Sequence, residues 1–156
     1  MHRIGTTFRA VGIGATVLVG MAAASHVAHA RDWMPPQVRA AAEGMLSTMP
    51  DDWFTIKDVA AEKEIATGVP IVIEVREPAE FAAEHIARAK NISLRLLLKN
   101  TEALPANKAA PIILYCKTGH RGAVALAVLK MVGYTDVRSI SGGMDGWKAA
   151  GFPVTK

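Results

Sequence analysis

Six consecutive residues, Cys116-Lys117-Thr118-Gly119-His120-Arg121, bring a thiol, two cations, an imidazole and a glycine into one short stretch. Cys116 is the single cysteine of the chain, so neither an internal disulfide nor a zinc site of several thiolates can be built on it. The run before it, Ile112-Ile113-Leu114-Tyr115, follows Pro111 and reads as a buried strand. The residues after it lead into an apolar helix over 121–132, closed by Gly133. In an open α/β sheet, ligand sites lie beyond the carboxyl ends of strands. The start of the following helix offers unpaired N–H groups and a partial positive charge of about +0.5. Both favour an anion, including a thiolate. Gly119 can adopt positive φ, so successive N–H groups can converge as a nest. Lys117, Arg121 and His120 add positive charge beside the sulfur. The bland alternative is a small, buried, inert cysteine. Its place after a strand, its basic neighbours and the loop glycine favour a reactive one.

A Cys–His hydrolase would need a histidine base. His120, four residues from the thiol, reads as a substrate contact or a solvated loop position, and His85 as a structural hydrogen-bonding residue. No other histidine lies beyond residue 30.

The elements that must position this loop alternate along the chain. Pro35-Pro36 opens a helix over Val38–Met49, ended by Pro50-Asp51-Asp52. Phe54-Thr55-Ile56 is a short strand candidate, followed by a helix from Asp58 to Ala66 that Gly68 closes. Ile71-Val72-Ile73-Glu74-Val75 is a β-branched run and a buried strand; Pro78–Glu84 gives one or two helical turns. Asn91-Ile92 is a brief strand candidate. Ser93 is placed to cap a Leu94–Lys99 helix whose leucines read as core. Asn100–Ala110 is the longest irregular connection. Val137–Ile140 is a further strand, and Gly142-Gly143 turns into a helix carrying Trp147. Strands separated by helices predict one α/β domain with a mainly parallel sheet.

Residues 1–30 stand apart. They carry Arg3 and Arg9, no acid, an apolar stretch from Val11 to Ala24, and the end Ala28-His29-Ala30. That pattern predicts a secretory signal peptide cleaved after Ala30; fourteen apolar residues fall short of the ~20 that span a bilayer. The expectation is a periplasmic or secreted protein with no stable membrane anchor after cleavage. The division expected is a signal peptide over 1–30, a leader and extra helix over 31–53, and the domain over 54–156. Lys and Arg total 18 against 14 Asp and Glu, a net +4 with no dense basic stripe, so nucleic acid is not an expected partner.

Three segments together carry a resemblance. The first is Glu74-Val75-Arg76-Glu77-Pro78-Ala79-Glu80-Phe81 with His85-Ile86 and Asn91-Ile92. The second is Tyr115 with the Cys116–Arg121 loop, of the form Cys-x-x-Gly-x-Arg. The third is Gly142-Gly143-Met144-Asp145-Gly146-Trp147, continuing to Gly151-Phe152-Pro153-Val154. In this order, over about 54–154, they resemble the single-domain rhodaneses, a sulfurtransferase family. Glu74 departs from the usual Asp, Glu84 and Arg88 from glycines, and Gly122 stands where serine is common after the loop arginine.

The resemblance implies a rhodanese-like α/β fold, with about five mainly parallel strands flanked by helices on both faces. It implies two-step chemistry at Cys116. The thiolate takes sulfane sulfur from a small anionic donor such as thiosulfate, becomes a persulfide, and passes the sulfur to cyanide or a thiol. Lys117, Thr118, Gly119, His120 and Arg121 form the substrate loop, and no metal or organic cofactor is implied. Glu74, Arg76, Glu80, Gly142, Gly143 and Trp147 read as supporting structure. Arg76 is expected to pair with an acid such as Glu80 beneath the loop, the two glycines to permit a tight turn, and Trp147 to be core or pocket wall. The alternatives are a persulfide carrier serving a protein partner, a noncatalytic binding module, and a phosphatase or arsenate-reductase relative. The last has a longer Cys-x5-Arg loop, whereas here the arginine sits at Cys-x4-Arg. Oligomeric state is left open by the sequence.

Overall fold

A computed structural model describes residues 33–156. The signal-peptide pattern over 1–30 lies outside the described residues. Helix α1 spans Pro36–Ser47, so Pro36 opens it as expected. Strand β1 (Thr55–Ile56), helix α2 (Asp58–Thr67), strand β2 (Ile71–Glu74) and the short helix α3 (Pro78–Ala83) follow. Then come β3 (Lys90–Asn91), β4 (Ile112–Tyr115), α4 (His120–Met131), β5 (Val137–Ile140) and α5 (Gly143–Ala149). No helix among the described residues is long and apolar enough to cross a membrane.

The five strands form one all-parallel sheet in the order β1-β5-β4-β2-β3. β4, which carries the cysteine at its carboxyl end, is central, so both its faces must be apolar; all four of its residues are buried. Alternation then divides the core. Ile112, Leu114 and Cys116 face one layer with Ile73, Val75, Val137 and the α4 residues Ala125, Leu126 and Leu129. Ile113 and Tyr115 face the other, with Val72, Ile140, the α2 residues Ala61 and Ile65, and Met144 and Trp147 of α5. Each fully buried aliphatic side chain contributes about 1.5–3 kcal/mol, so these two layers hold the sheet edge rigid beneath the loop. Gly68 ends α2 at φ +76, the left-handed conformation that closes a helix.

The leucine-rich segment differs from its reading. Leu94–Leu96 is a single 3-10 turn, and Ser93 does not cap it; the Ser93 hydroxyl donates to Glu77 instead, at 3.4 Å. Leu97 alone of the four leucines is fully buried, while Leu96 and Leu98 are exposed. The run lies over the sheet rim, where one residue in a turn reaches the core. α4 is likewise one-sided, burying Gly122, Ala125, Leu126 and Leu129 while Val124 faces solvent. β3 falls at Lys90–Asn91, one residue earlier than Asn91-Ile92.

Candidate active site

Cys116 follows directly on β4 and is 1% exposed. The chain then turns through residues 117–119 into α4. Gly119 takes φ +94, and a Cβ there would run into the carbonyl oxygen of Ser141. Only glycine fits that turn. Gly143 is the second such point: at φ +58 its Cα packs against the loop, and a Cβ would sit 2.7 Å from the Lys117 carbonyl oxygen. This close approach lets the first amides of α5 seize the loop carbonyls. Met144 N–H donates to the Cys116 carbonyl (2.8 Å) and Asp145 N–H to the Lys117 carbonyl (2.9 Å). Gly142 is not left-handed (φ −85); its lack of a side chain serves close packing, since a Cβ would meet the Gly146 Cα at 2.8 Å.

With its carbonyls turned toward α5, the loop has its N–H groups to spare. The amides of residues 117–121 donate to no backbone acceptor among the described residues. Unpaired amides at a helix start beside a sulfur form a cradle for negative charge. Lys117 is exposed and makes no ion pair among the described residues. Thr118 and His120 are exposed and bond each other, Oγ1 to Nδ1 at 2.9 Å.

Arg121 is differently engaged. Its guanidinium donates twice to Glu80 of α3, at 2.7 and 3.1 Å. That bond holds the Glu80 carboxyl down to about 2. It also raises the guanidinium above its ordinary range, and the neighbouring Cys116 sulfur acts in the same direction. Glu80 in turn accepts from the Glu77 amide (3.1 Å), which ties α3 to the loop arginine.

Arg76 does pair with an acid, as expected, but the acid is Glu74 rather than Glu80. Arg76, 5% exposed, donates through Nε to the fully buried Glu74, and through its terminal nitrogen to the Glu84 carbonyl at 2.5 Å. Glu74 also accepts from the Tyr115 hydroxyl, which accepts in turn from the Ile86 amide at 3.0 Å. Burial, and then the hydrogen bond to Glu74, pushes the Tyr115 phenol far up, so it stays a neutral donor. A buried arginine takes the buried acid two residues away because an unpaired charge there would be costly; Glu80, at the rim, is left for Arg121. Trp147 is core: it is 3% exposed, faces the layer opposite Cys116, and donates Nε1–H to the Pro153 carbonyl at 2.9 Å. His85 is structural as read, with Nδ1 3.0 Å from the Phe81 carbonyl and its ring stacked on Phe81.

Two neighbours of the loop escaped the sequence reading. Trp53 holds a left-handed backbone (φ +57), rare for such a residue, and with Thr118, Gly119, His120 and Ser139 lines a pocket of about 250 Å³. Ser139 of β5 lies beneath the loop with its Oγ buried.

A cysteine at a strand end, a loop of amides without backbone acceptors among the described residues and a salt-bridged arginine meet their counterpart in sequence comparison. The rhodanese-like domain matches residues 58–150. The chain belongs to the rhodanese-like family. Protein slr1261 of Synechocystis is 37% identical over 86 residues, covering 55% of this chain and 47% of its own. The chain thus spans about half the length of that relative. Thiosulfate sulfurtransferase GlpE of Pseudomonas fluorescens is 35% identical over 83 residues, covering 53% of this chain and 73% of its own. Among solved structures, a rhodanese-related protein of Thermoplasma volcanium superposes with a TM-score of 0.59 at 27% identity, covering 65% of this chain and 96% of the other. Helix α1 precedes the matched residues.

Proposed function

We propose that this rhodanese-like chain is a sulfurtransferase that carries sulfane sulfur as a persulfide on Cys116, with thiosulfate or a similar anion as donor. The observation that carries the reading is the set of unpaired amides at residues 117–121 around the only thiol. In the first step the Cys116 thiolate attacks the outer sulfur of thiosulfate. The S–S bond of thiosulfate breaks, sulfite leaves with the bonding pair, and the cysteine is left as a persulfide anion. In the second step cyanide or a thiolate attacks the outer persulfide sulfur and releases the Cys116 thiolate. Negative charge is conserved through both steps, so a fixed cradle of N–H dipoles suits every state along the path. Lys117, exposed and in no ion pair among the described residues, draws the anionic donor in. Arg121 braces the loop through Glu80.

The commitment of Arg121 to Glu80, and the short Cys-x4-Arg spacing, disfavour a phosphatase, which needs that guanidinium for a tetrahedral oxyanion. The deciding experiment is steady-state conversion of thiosulfate and cyanide into thiocyanate and sulfite, with aryl phosphate hydrolysis measured in parallel. Sulfur transfer is expected, lost in Cys116→Ala, with negligible phosphate release. Robust Cys116-dependent phosphatase activity without sulfur transfer would overturn the reading.

A further inference from the structure

Two features that cost stability meet at one contact beneath the Cys116 loop. Gly122 lies in the first turn of α4, where glycine weakens a helix. Ser139 of β5 is 2% exposed, and its Oγ has no hydrogen-bond partner among the described residues. Burying a hydroxyl unpaired is itself unfavourable. The two face each other: a Cβ on residue 122 would overlap the Ser139 hydroxyl, and would lie 3.9 Å from the Cys116 amide nitrogen. The hydroxyl therefore fills the volume of the side chain that residue 122 lacks, and that volume borders the start of the loop. Ser139 is in register with Leu114, two residues before Cys116, and alternation puts all three side chains on the face under α4. Gly122 is also where the resemblance leads one to expect serine.

We propose that Ser139 is a positioning residue for sulfur transfer: from β5 it supplies the hydroxyl missing at position 122, held for the Cys116 loop once it carries sulfur. This rests on the sulfurtransferase reading. Packing alone accounts for the filled volume but not for a hydroxyl, because an apolar group of that size would fill it and leave nothing unpaired. The proposal makes stability and rate move in opposite directions.

The test is a set of variants of the full domain, each followed by thermal unfolding and by kcat and KM for thiosulfate. Ser139→Ala keeps or gains thermal stability, lowers kcat roughly five- to tenfold, and leaves KM within about twofold. Gly122→Ser/Ser139→Ala returns a hydroxyl from the helix and restores kcat to within about threefold of wild type. Gly122→Ala/Ser139→Ala, with the same added Cβ but without the hydroxyl, does not. Wild-type kcat in Ser139→Ala, or equal activity of the two double variants, would overturn the assignment. Alkylation of Cys116 by iodoacetamide is timed in the same proteins. If wild type alkylates but accepts no sulfur from thiosulfate, the sulfurtransferase reading fails. The order of alkylation rates, with the Gly122→Ser/Ser139→Ala rate nearer wild type than the other double variant or not, then decides on Ser139.

Discussion

Charge at single residues divides into attraction and bracing. Lys117 is exposed and makes no ion pair among the described residues, so its pull on the proposed anionic donor is long-range and screened, with a reach of about 8–10 Å near physiological ionic strength. Lys117→Ala is expected to lower kcat/KM for thiosulfate about two- to fivefold and to flatten its dependence on added salt. Stopped rates across a salt series check this; an unchanged slope means that the backbone amides alone attract the donor. Glu80 acts through Arg121. Its carboxyl is held near 2 against an ordinary 4.5, so its ion pair contributes stability fully above the unfolded value and loses it as pH falls toward 2. Wild type should therefore lose more thermal stability between about pH 5 and pH 2 than Glu80→Gln does. Parallel Tm-against-pH curves for the two proteins would contradict the bracing role. Glu64 and Glu84, lowered by Arg138 and Lys148, contribute with the same sign in both proteins and so cancel in the comparison.

At the scale of elements, the site depends on how α3 and the segment after it are latched to the sheet. The latch is the buried chain Ile86 amide to Tyr115 hydroxyl to Glu74 to Arg76, ending on the Glu84 carbonyl. Tyr115→Phe strands the Ile86 amide and one Glu74 oxygen, and should destabilise by about 1–3 kcal/mol. Urea unfolding at constant m-value measures it; a loss under about 0.5 kcal/mol would mean that the latch is dispensable. The strands flanking this latch were legible in sequence. Ile112–Tyr115 is an apolar run, Val137–Ile140 sets Val137 and Ile140 around Arg138 and Ser139, and the ends of both agree with the structure to the residue. The cysteine loop was legible too, because its six residues are contiguous. What was not legible depends on distance along the chain. Arg121 and Glu80 are 41 residues apart, so no local pattern pairs them; Arg76 and Glu74 are only two apart, but it is their burial in the fold that selects Glu74 over Glu80 at the rim. Ser93 and the leucines after it read as a capped helix by propensity alone, and the structure does not form one. A rim position with one buried leucine made them a single turn.

For the whole molecule, the exported character of this rhodanese-like protein is a proposal that rests on the sequence of residues 1–30. Expression with the full chain should give mature protein beginning at Arg31 in a periplasmic or culture fraction. Edman or mass-spectrometric sequencing that finds Met1 intact in a membrane fraction would replace cleavage with anchoring. An exported rhodanese-like domain would work where oxidants reach thiols, and a single cysteine with no internal partner avoids locking itself as a disulfide. The central claim, that the chain carries sulfur covalently on this residue, is tested most directly by intact-mass measurement. Mature protein treated with thiosulfate should gain the mass of one sulfur atom, and cyanide should remove it; Cys116→Ala, folded to the same thermal transition, should do neither. A wild-type mass unchanged by thiosulfate, or a sulfur adduct that persists in Cys116→Ala, would contradict it.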